Sequence, residues 1–475
     1  MNTTNHFSLR TRKIPFGVLS DQELLLSEEV QGKRVLHSML LQSGNGEISA
    51  LLEQLWNSEV STVWVMPQTR MAQSATCAWL EKARPEWTVL IHADPREASR
   101  PVCAWFWSGG SGEQAGRRLA LAFPGQAGWD WKLTDTTGLL ATVTYLDQVL
   151  ARPVIDHPDR LALQLLTELT RDQSLRHQRS PSVDLTALTG SDGTPIPWNA
   201  GESEVSWMRP LTLNEQRQKY LHKYTHGFRS LQAAQGLLLG VGTPQHDPNG
   251  RRYDGKNPGL WRVQVERVGS VFDGIRLPAG SDGAWISTPQ VRCCQAIGYQ
   301  VGLQEGYYWP QSQEPLNLWA KTLWQAAEIL HTRPLRFRHQ QARANAIQTL
   351  HLLAQRGAHL LAQDQAASGW GRPDWWAQFV GRSRALLFSQ LVQLVRKGTM
   401  PVLVTPDALW IVSNDLNPLR AVPGLINSAR WNGYAVGYNV PLSLTSAVRA
   451  IFQTGTPLQA EQAARALDAL ADEHS

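Results

Sequence analysis

Short apolar runs punctuated by turn residues dominate the first third of the chain. "STVWVMP", "WTVLIHA", "PVCAWFWSGG" and "RRLALAFPG" are rich in branched and aromatic side chains and bounded by turn formers, which predicts the strands of one sheet. Apolar stripes at helical spacing precede them in "ISALLEQLWNSE" and follow them in "TTGLLATVTYLDQVLA" and "DRLALQLLTELTRD". Residues 61–172 therefore read as one α/β domain behind an N-terminal segment, 1–60, of mixed pattern. Over 173–210 the periodicity lapses and Ser, Pro, Gly and Asp collect, the composition of a linker or crossing segment.

From 211 the pattern resumes. "LHKYT" predicts a strand, "FRSLQAAQGLLL" a helix, "GTPQHDPNGRRYDGKNPG" a loop and "LWRVQVERV" a strand. "GAWISTPQVRCCQAIGYQV", "EGYYWP" and the helix "LNLWAKTLWQAAEILHT" carry this unit to 332. Residues 333–400 read as almost wholly helical, interrupted at "SGWGRPDWW"; 401–475 return to sheet at "MPVLVTPDALWIVSND" and end in a helix. The fold class expected is α/β, α+β in detail, and no internal repeat is visible.

The 475 residues suffice for two to four domains with cores of their own. A hydrophobic share of 42% with 18% charged residues is that of a globular chain, and no run reaches eighteen apolar residues, so no membrane partner is expected. The first residues, "MNTTNHFSLRTRKIPFG", have basic groups but no apolar core behind them, which argues against a secretory signal and for the cytoplasm. Cys77, Cys103, Cys293 and Cys294 have no zinc-ligand spacing and read as buried thiols. The 20 tryptophans exceed what a core alone requires, so some are expected as stacking surfaces.

No phosphate loop, paired CxxC, HExxH helix or nucleophile elbow occurs, and no cofactor is expected. His222 and His226 share one face of a strand with no third ligand in view. "GVGTP" is a lone glycine cluster, weak as a phosphate cradle. Asp135, Asp147, Asp156 and Asp159 fall in or beside predicted helices, where capping and solvation explain them.

The ordered set "LHKYTHGFRSLQAAQGLLLGVG", "NPGLWRVQV", "GAWISTPQVRCCQAIGYQVGLQEGYYWP", "LNLWAKTLWQAAEIL", a long helical stretch and "MPVLVTPDALWIV" resembles the palm of family B DNA polymerases. It resembles more closely the telomere-associated Tap proteins of bacterial linear chromosomes and plasmids, whose C-terminal half is polymerase-like. The resemblance implies an RNase H-like, exonuclease-type domain at 61–172 and a palm at 211–332 and 401–475, with 333–400 as a fingers-like insert. It places Thr225 where the first metal-binding Asp belongs and Ser230 where a Tyr closes the sugar pocket. His351 and Gln355 fall in the region where a lysine would hold the triphosphate. Asp407 alone keeps an acid near its expected position. Two-metal phosphoryl transfer needs at least two converging carboxylates, so the site reads as vestigial and the chain as no enzyme. An active polymerase or 3'-5' exonuclease with unorthodox ligands is the alternative, with Asp247, Asp254 or Asp415 as candidates to join Asp407. A subunit of a mobile-element or defence nucleoprotein complex is a third reading.

Charge gives the remaining chemistry. Between Arg333 and Lys397 there are ten basic residues and two acids, Asp364 and Asp374, a local +8 against +5 for the whole chain. Like charge so concentrated favours a polyanion. The residues expected to hold nucleic acid are Arg333, Arg336, Arg338, Arg356, Arg372, Arg382, Arg384, Arg396 and Lys397, with Trp375 and Trp376 as stacking faces. Lys223 and the loop residues Arg251, Arg252, Lys256 and Arg262 join them. The expected partner is DNA, a single strand or a folded end rather than plain duplex, together with a terminal protein or another replication subunit.

Overall fold

A computed structural model describes residues 16–21, 23–30, 33–40, 48–57, 60–83, 87–108, 118–129, 131–133, 135–171, 188–196, 206–266, 283–332, 339–363, 370–426, 433–437, 440–453 and 460–473. Two compact units divide the chain, one of residues 1–165 and 325–356, the other of 166–324 and 357–475.

The first unit is built on seven strands: β1 (Phe16–Leu19), β2 (Glu23–Val30), β3 (Lys33–Leu40), β4 (Thr62–Val65), β5 (Trp87–Asp94), β6 (Glu97–Ser108) and β7 (Leu119–Ala122). Their order is β3-β2-β1-β4-β7-β6-β5, with β1, β4 and β7 mutually parallel and the outer pairs antiparallel. The three parallel strands, "FGVL", "TVWV" and "LALA", are buried at every position, as strands covered on both faces must be. Edge strand β5 instead alternates exposed and half-buried positions. The expectation of a separate N-terminal segment fails here. β1 runs parallel to β4 inside the same sheet, and Gly17 interrupts its short apolar run in the sequence.

The helix Thr136–Leu150 starts on Asp135, whose carboxylate accepts from the Gly138 N–H at 2.6 Å, the capping role its position predicted. The helix Gln340–His359 is tied into this unit over its first part. Asn345 accepts from the Lys132 N–H at 3.2 Å and donates to the Lys132 carbonyl at 3.2 Å, while the Trp131 indole donates to Thr349 at 2.7 Å. The stretch expected as one helical insert over 333–400 is thereby divided, since the helix Pro373–Arg396 belongs to the second unit.

The second unit carries β8 (Trp207–Met208), β9 (Tyr220–Thr225), β10 (Leu239–Val241), β11 (Gln245–Asp247), β12 (Gly259–Glu266), β13 (Ala284–Ser287), β14 (Gln300–Tyr308), β15 (Gln311–Gln313), β16 (Leu403–Thr405), β17 (Ala408–Ser413), β18 (Ala435–Val436) and β19 (Leu442–Ser443). Its main sheet runs β18-β9-β17-β16-β8, with β19 also on β9; a second sheet runs β11-β14-β12-β13, and β10 pairs β15. Alternation along β17 divides the core. Trp410 and Val412 join Leu221 and Leu403 under the helix Ala460–Glu473, and Leu409 and Ile411 join Tyr224 and Val404 under Leu387, Phe388 and Leu391 of the helix Pro373–Arg396.

Trp64, Trp261, Trp309, Trp319 and Trp410 are fully buried, so much of the tryptophan excess is core. The four cysteines are free thiols, and all but Cys77 are buried. No described helix is long and apolar enough to cross a membrane.

Candidate nucleic-acid interface

Residues at the hairpin of β16 and β17 test the expected catalytic geometry. Thr225 ends β9 directly opposite Ala408, so Asp407 stands beside it at the exposed hairpin turn. The His226 N–H donates to the Asp407 carbonyl at 2.7 Å, which fixes the backbone of that turn. Arg229, at the start of the helix Arg229–Ala234, is buried and donates from Nη1 to the carbonyl of Pro406. Among the described residues no carboxylate pairs with Arg229, and Asp407 belongs to no group of three metal-ligand side chains. Burial raises the Tyr434 hydroxyl above the ordinary phenol range against the pull of the Arg229 charge, and that hydroxyl donates to Gln390 at 2.6 Å. A guanidinium thus lies beneath the turn where metal chemistry needs negative charge.

The acids considered as alternative ligands are occupied in turns. Asp247 accepts from the Arg252 N–H at 2.6 Å, Asp254 from the Lys256 and Asn257 N–H groups at 2.8 and 2.9 Å, and Asp415 from the Asn417 N–H at 2.9 Å. His222 meets the Asp415 carbonyl at 2.8 Å and His226 packs edge-on against Tyr434, so the two histidines do not share a ligand.

A cleft of 460 Å³ opens between the helices Thr288–Ala296 and Pro373–Arg396, the turn at Gly236 and the loop at Lys256. Lys256, Arg292 and Arg382 line it, and among the described residues no Asp or Glu does. Arg382 is half-buried and donates to the carbonyls of Gln235 and Gly236, both at 2.8 Å, as a cation closing the end of the helix Arg229–Ala234. Burial, then the neighbouring Arg292 charge, push Arg382 below the usual arginine range, and Glu314 opposes them. Lys256 and Arg292 are exposed and form no salt bridge among the described residues, although the Lys256 charge acts on the neighbouring Asp254 carboxylate. The cleft is suited to an anion of phosphate size or larger.

Other residues expected at the interface are divided by the fold. Arg372 and Arg384 are 8% and 6% exposed and Trp375 is 6% exposed, so none of them faces a groove. Arg372 clamps Asp374 at 2.9 and 2.8 Å and lies over Trp375, whose indole donates to the Gly240 carbonyl at 2.8 Å. These three positions are corrections: the helix Pro373–Arg396 packs along the side that carries them, and a local charge count does not distinguish inward from outward arginines. Trp376 is half-buried, stacked on Phe379 with centroids 5.5 Å apart.

Lys223 meets Asp468 at 2.6 Å across the face of Trp410, and Arg262 meets Asp192 at 2.8 Å and Glu305 at 3.0 Å. Those two cations are matched internally. Arg356, in the first unit, pairs with Asp159 at 3.3 Å. Arg251, Arg252, Arg396 and Lys397 are exposed, the last two at the end of the helix Pro373–Arg396. Arg333, Arg336 and Arg338 lie outside the described residues. Of the expected set, only Lys256 and Arg382 among the described residues meet in the cleft, and Arg292 completes them from a helix whose sequence, "TPQVRCCQA", carries one isolated cation.

No protein-family model and no curated protein sequence matches the chain. Solved structures similar to it include the phi29 DNA polymerase complexed with primer-template DNA, at 9% identity and TM-score 0.43 over 89% of this chain and 84% of that one. The family B DNA polymerase of Pyrobaculum calidifontis is similar at 10% identity and TM-score 0.41, over 90% of this chain and 57% of that one. Such values describe a distant likeness of backbone shape and assign no chemistry to this chain.

Proposed function

We infer that this protein holds nucleic acid by its phosphates and does not carry out polymerase or exonuclease chemistry. The observation that carries the reading is the cleft where Lys256, Arg292 and Arg382 converge with no Asp or Glu among its described lining residues. A phosphodiester entering it gains three cations, two of them exposed and in no salt bridge among the described residues, and relieves the repulsion between Arg292 and Arg382. Thr225 opposite Ala408 and Arg229 under Asp407 support the second half of the proposal, because a divalent pair would find one carboxylate and a buried cation there. The ligand proposed is DNA, as a single strand or folded end, and the order of palm-like sequence pieces suits a role beside a replication partner at the terminus of a linear replicon or mobile element.

The deciding experiment is a gel shift with single-stranded, hairpin and duplex DNA across a salt series, beside primer extension with Mg²⁺. Binding that prefers the single strand or hairpin and weakens steeply with salt, with no extension, is the expected result. Salt-insensitive or absent binding defeats the reading. Extension abolished by Asp407→Ala makes the protein a polymerase instead.

A further inference from the structure

His92 on β5 and Cys103 on β6 are direct cross-strand partners, so their side chains leave the same face of the sheet side by side. Asp156 reaches the same place from the segment between the helices Thr136–Leu150 and Pro158–Arg171. The Asp156 Oδ2 lies 2.7 Å from His92 Nδ1 and the Cys103 Sγ lies 3.6 Å from that same nitrogen. Cys103 and Asp156 are buried, and the His92 side chain keeps 23% of its surface exposed.

A catalytic relay would place the thiol and the acid on opposite nitrogens of the ring, so that a proton could pass through it. Here both meet Nδ1, and one nitrogen cannot serve both as a relay does. Convergence of sulfur, nitrogen and oxygen on one point is the geometry of chelation. Tetrahedral zinc, with bonds of about 2.3 Å to sulfur and about 2.0–2.2 Å to nitrogen and oxygen, sets its ligand atoms roughly 3.3–3.6 Å apart. The Cys103 to His92 spacing already matches, the carboxylate has about half an ångström to open from His92, and its oxygen lies within 4.8 Å of the sulfur.

The surroundings fit a bound ion. Asp156 Oδ1 accepts from the His157 N–H at 2.7 Å and its backbone carbonyl accepts from the Trp129 indole at 3.1 Å, so outer contacts orient the ligand. A thiolate and a carboxylate together balance a divalent charge, which suits a buried place better than either anion alone. The exposed edge of His92 leaves a route for a water as fourth ligand.

We propose that His92, Cys103 and Asp156 form a mononuclear site for zinc or a similar borderline-soft divalent ion. The site lies in the first unit and is independent of the phosphate cleft. It would hold the edge strand β5 and its neighbour β6 to the segment that follows the helix Thr136–Leu150, and its open fourth position admits a water or small anion.

The test uses the full chain, stripped of metal with a chelator and titrated with Co²⁺. The expected result is one ion per chain and a near-ultraviolet thiolate-to-cobalt charge-transfer band, displaced by Zn²⁺. His92→Gln and Cys103→Ser are each expected to remove the band or weaken binding at least tenfold. His92 is partly exposed, so His92→Gln carries the comparison should Cys103→Ser fail to fold. Absence of the band in the parent protein overturns the proposal, and so does a band of unchanged affinity in a folded His92→Gln.

Discussion

Arg229 donates to the carbonyl of Pro406, the residue immediately before Asp407. The contact links the helix Arg229–Ala234 to the β16–β17 hairpin and brings a full positive charge under a turn whose own acid points to solvent. A divalent ion at Asp407 would have to overcome that charge without a second carboxylate from Thr225. Asp407→Asn is therefore expected to leave DNA affinity within about twofold of the parent, or to improve it by removing a negative charge. A binding titration in the presence and absence of Mg²⁺ checks this; Mg²⁺-dependent binding that Asp407→Asn abolishes would contradict it.

Charge reversal separates the cleft from the arginines buried behind it. Lys256→Glu and Arg292→Glu are each expected to weaken binding uniformly across DNA sequences and to flatten the logarithmic salt dependence by about one unit. Arg384→Glu behaves differently, because a carboxylate replaces a buried cation on the packed side of the helix Pro373–Arg396. Its expected cost is about 3–5 kcal/mol of stability, or failure to fold. Anisotropy titrations beside thermal melts distinguish the two outcomes.

The strands β4 to β7 and the long helices were legible because apolar runs bounded by turn formers, or apolar stripes at helical spacing, mark them in the sequence. β1 was not: it is as short and as fully buried as β4 and β7, but Gly17 interrupts its apolar run. The same distinction governs the site. Thr225 and Asp407 stand near each other because β9 and β17 pair in a single register that sets Thr225 opposite Ala408. Arg292 and the trio of His92, Cys103 and Asp156 escaped notice because they come from separate elements and only the fold brings them together. Charge density over 333–397 conveyed the amount of positive charge but not its direction; Arg382 looks into the cleft while Arg384, two residues on, is packed inside.

Gly381 lets the helix Pro373–Arg396 approach the Ser287 side chain closely. At Gly381 an added Cβ would overlap the Ser287 hydroxyl, at the start of the helix Thr288–Ala296 that carries Arg292. Gly381→Ala is expected to destabilise by about 1–3 kcal/mol and, by prying Arg292 from Arg382, to weaken DNA binding as well. Arg292→Glu, in contrast, should lose affinity with little change in melting temperature. A Gly381→Ala protein that melts lower but binds DNA as the parent does would show that the cleft is not the binding surface.

Glu305 gives the second unit an acid-sensitive joint. Burial works to raise its carboxyl, but hydrogen bonds from Ser191, Arg262 and His246 prevail and hold it below the ordinary glutamate range. Asp192, on the other side of Arg262, is held down to about 2 by hydrogen bonds from Thr194 and then by Arg262. A carboxylate whose folded value is depressed contributes stability that is complete above its unfolded value and is lost as pH falls through the folded one. The Glu305 contribution is thus fully present at neutral pH and declines below about pH 4.3, the unfolded glutamate value. Glu305→Gln removes the charge from Arg262 and the strongest acceptor from Ser191, at an expected cost of about 1–2 kcal/mol at pH 7. Because the substituted protein has no carboxylate left to protonate there, its deficit should shrink as pH is lowered toward 3. Denaturant melts of both proteins between pH 7 and 3 test the sign: a deficit that stays constant or grows on acidification would mean that the fold does not hold the Glu305 carboxyl below its unfolded value.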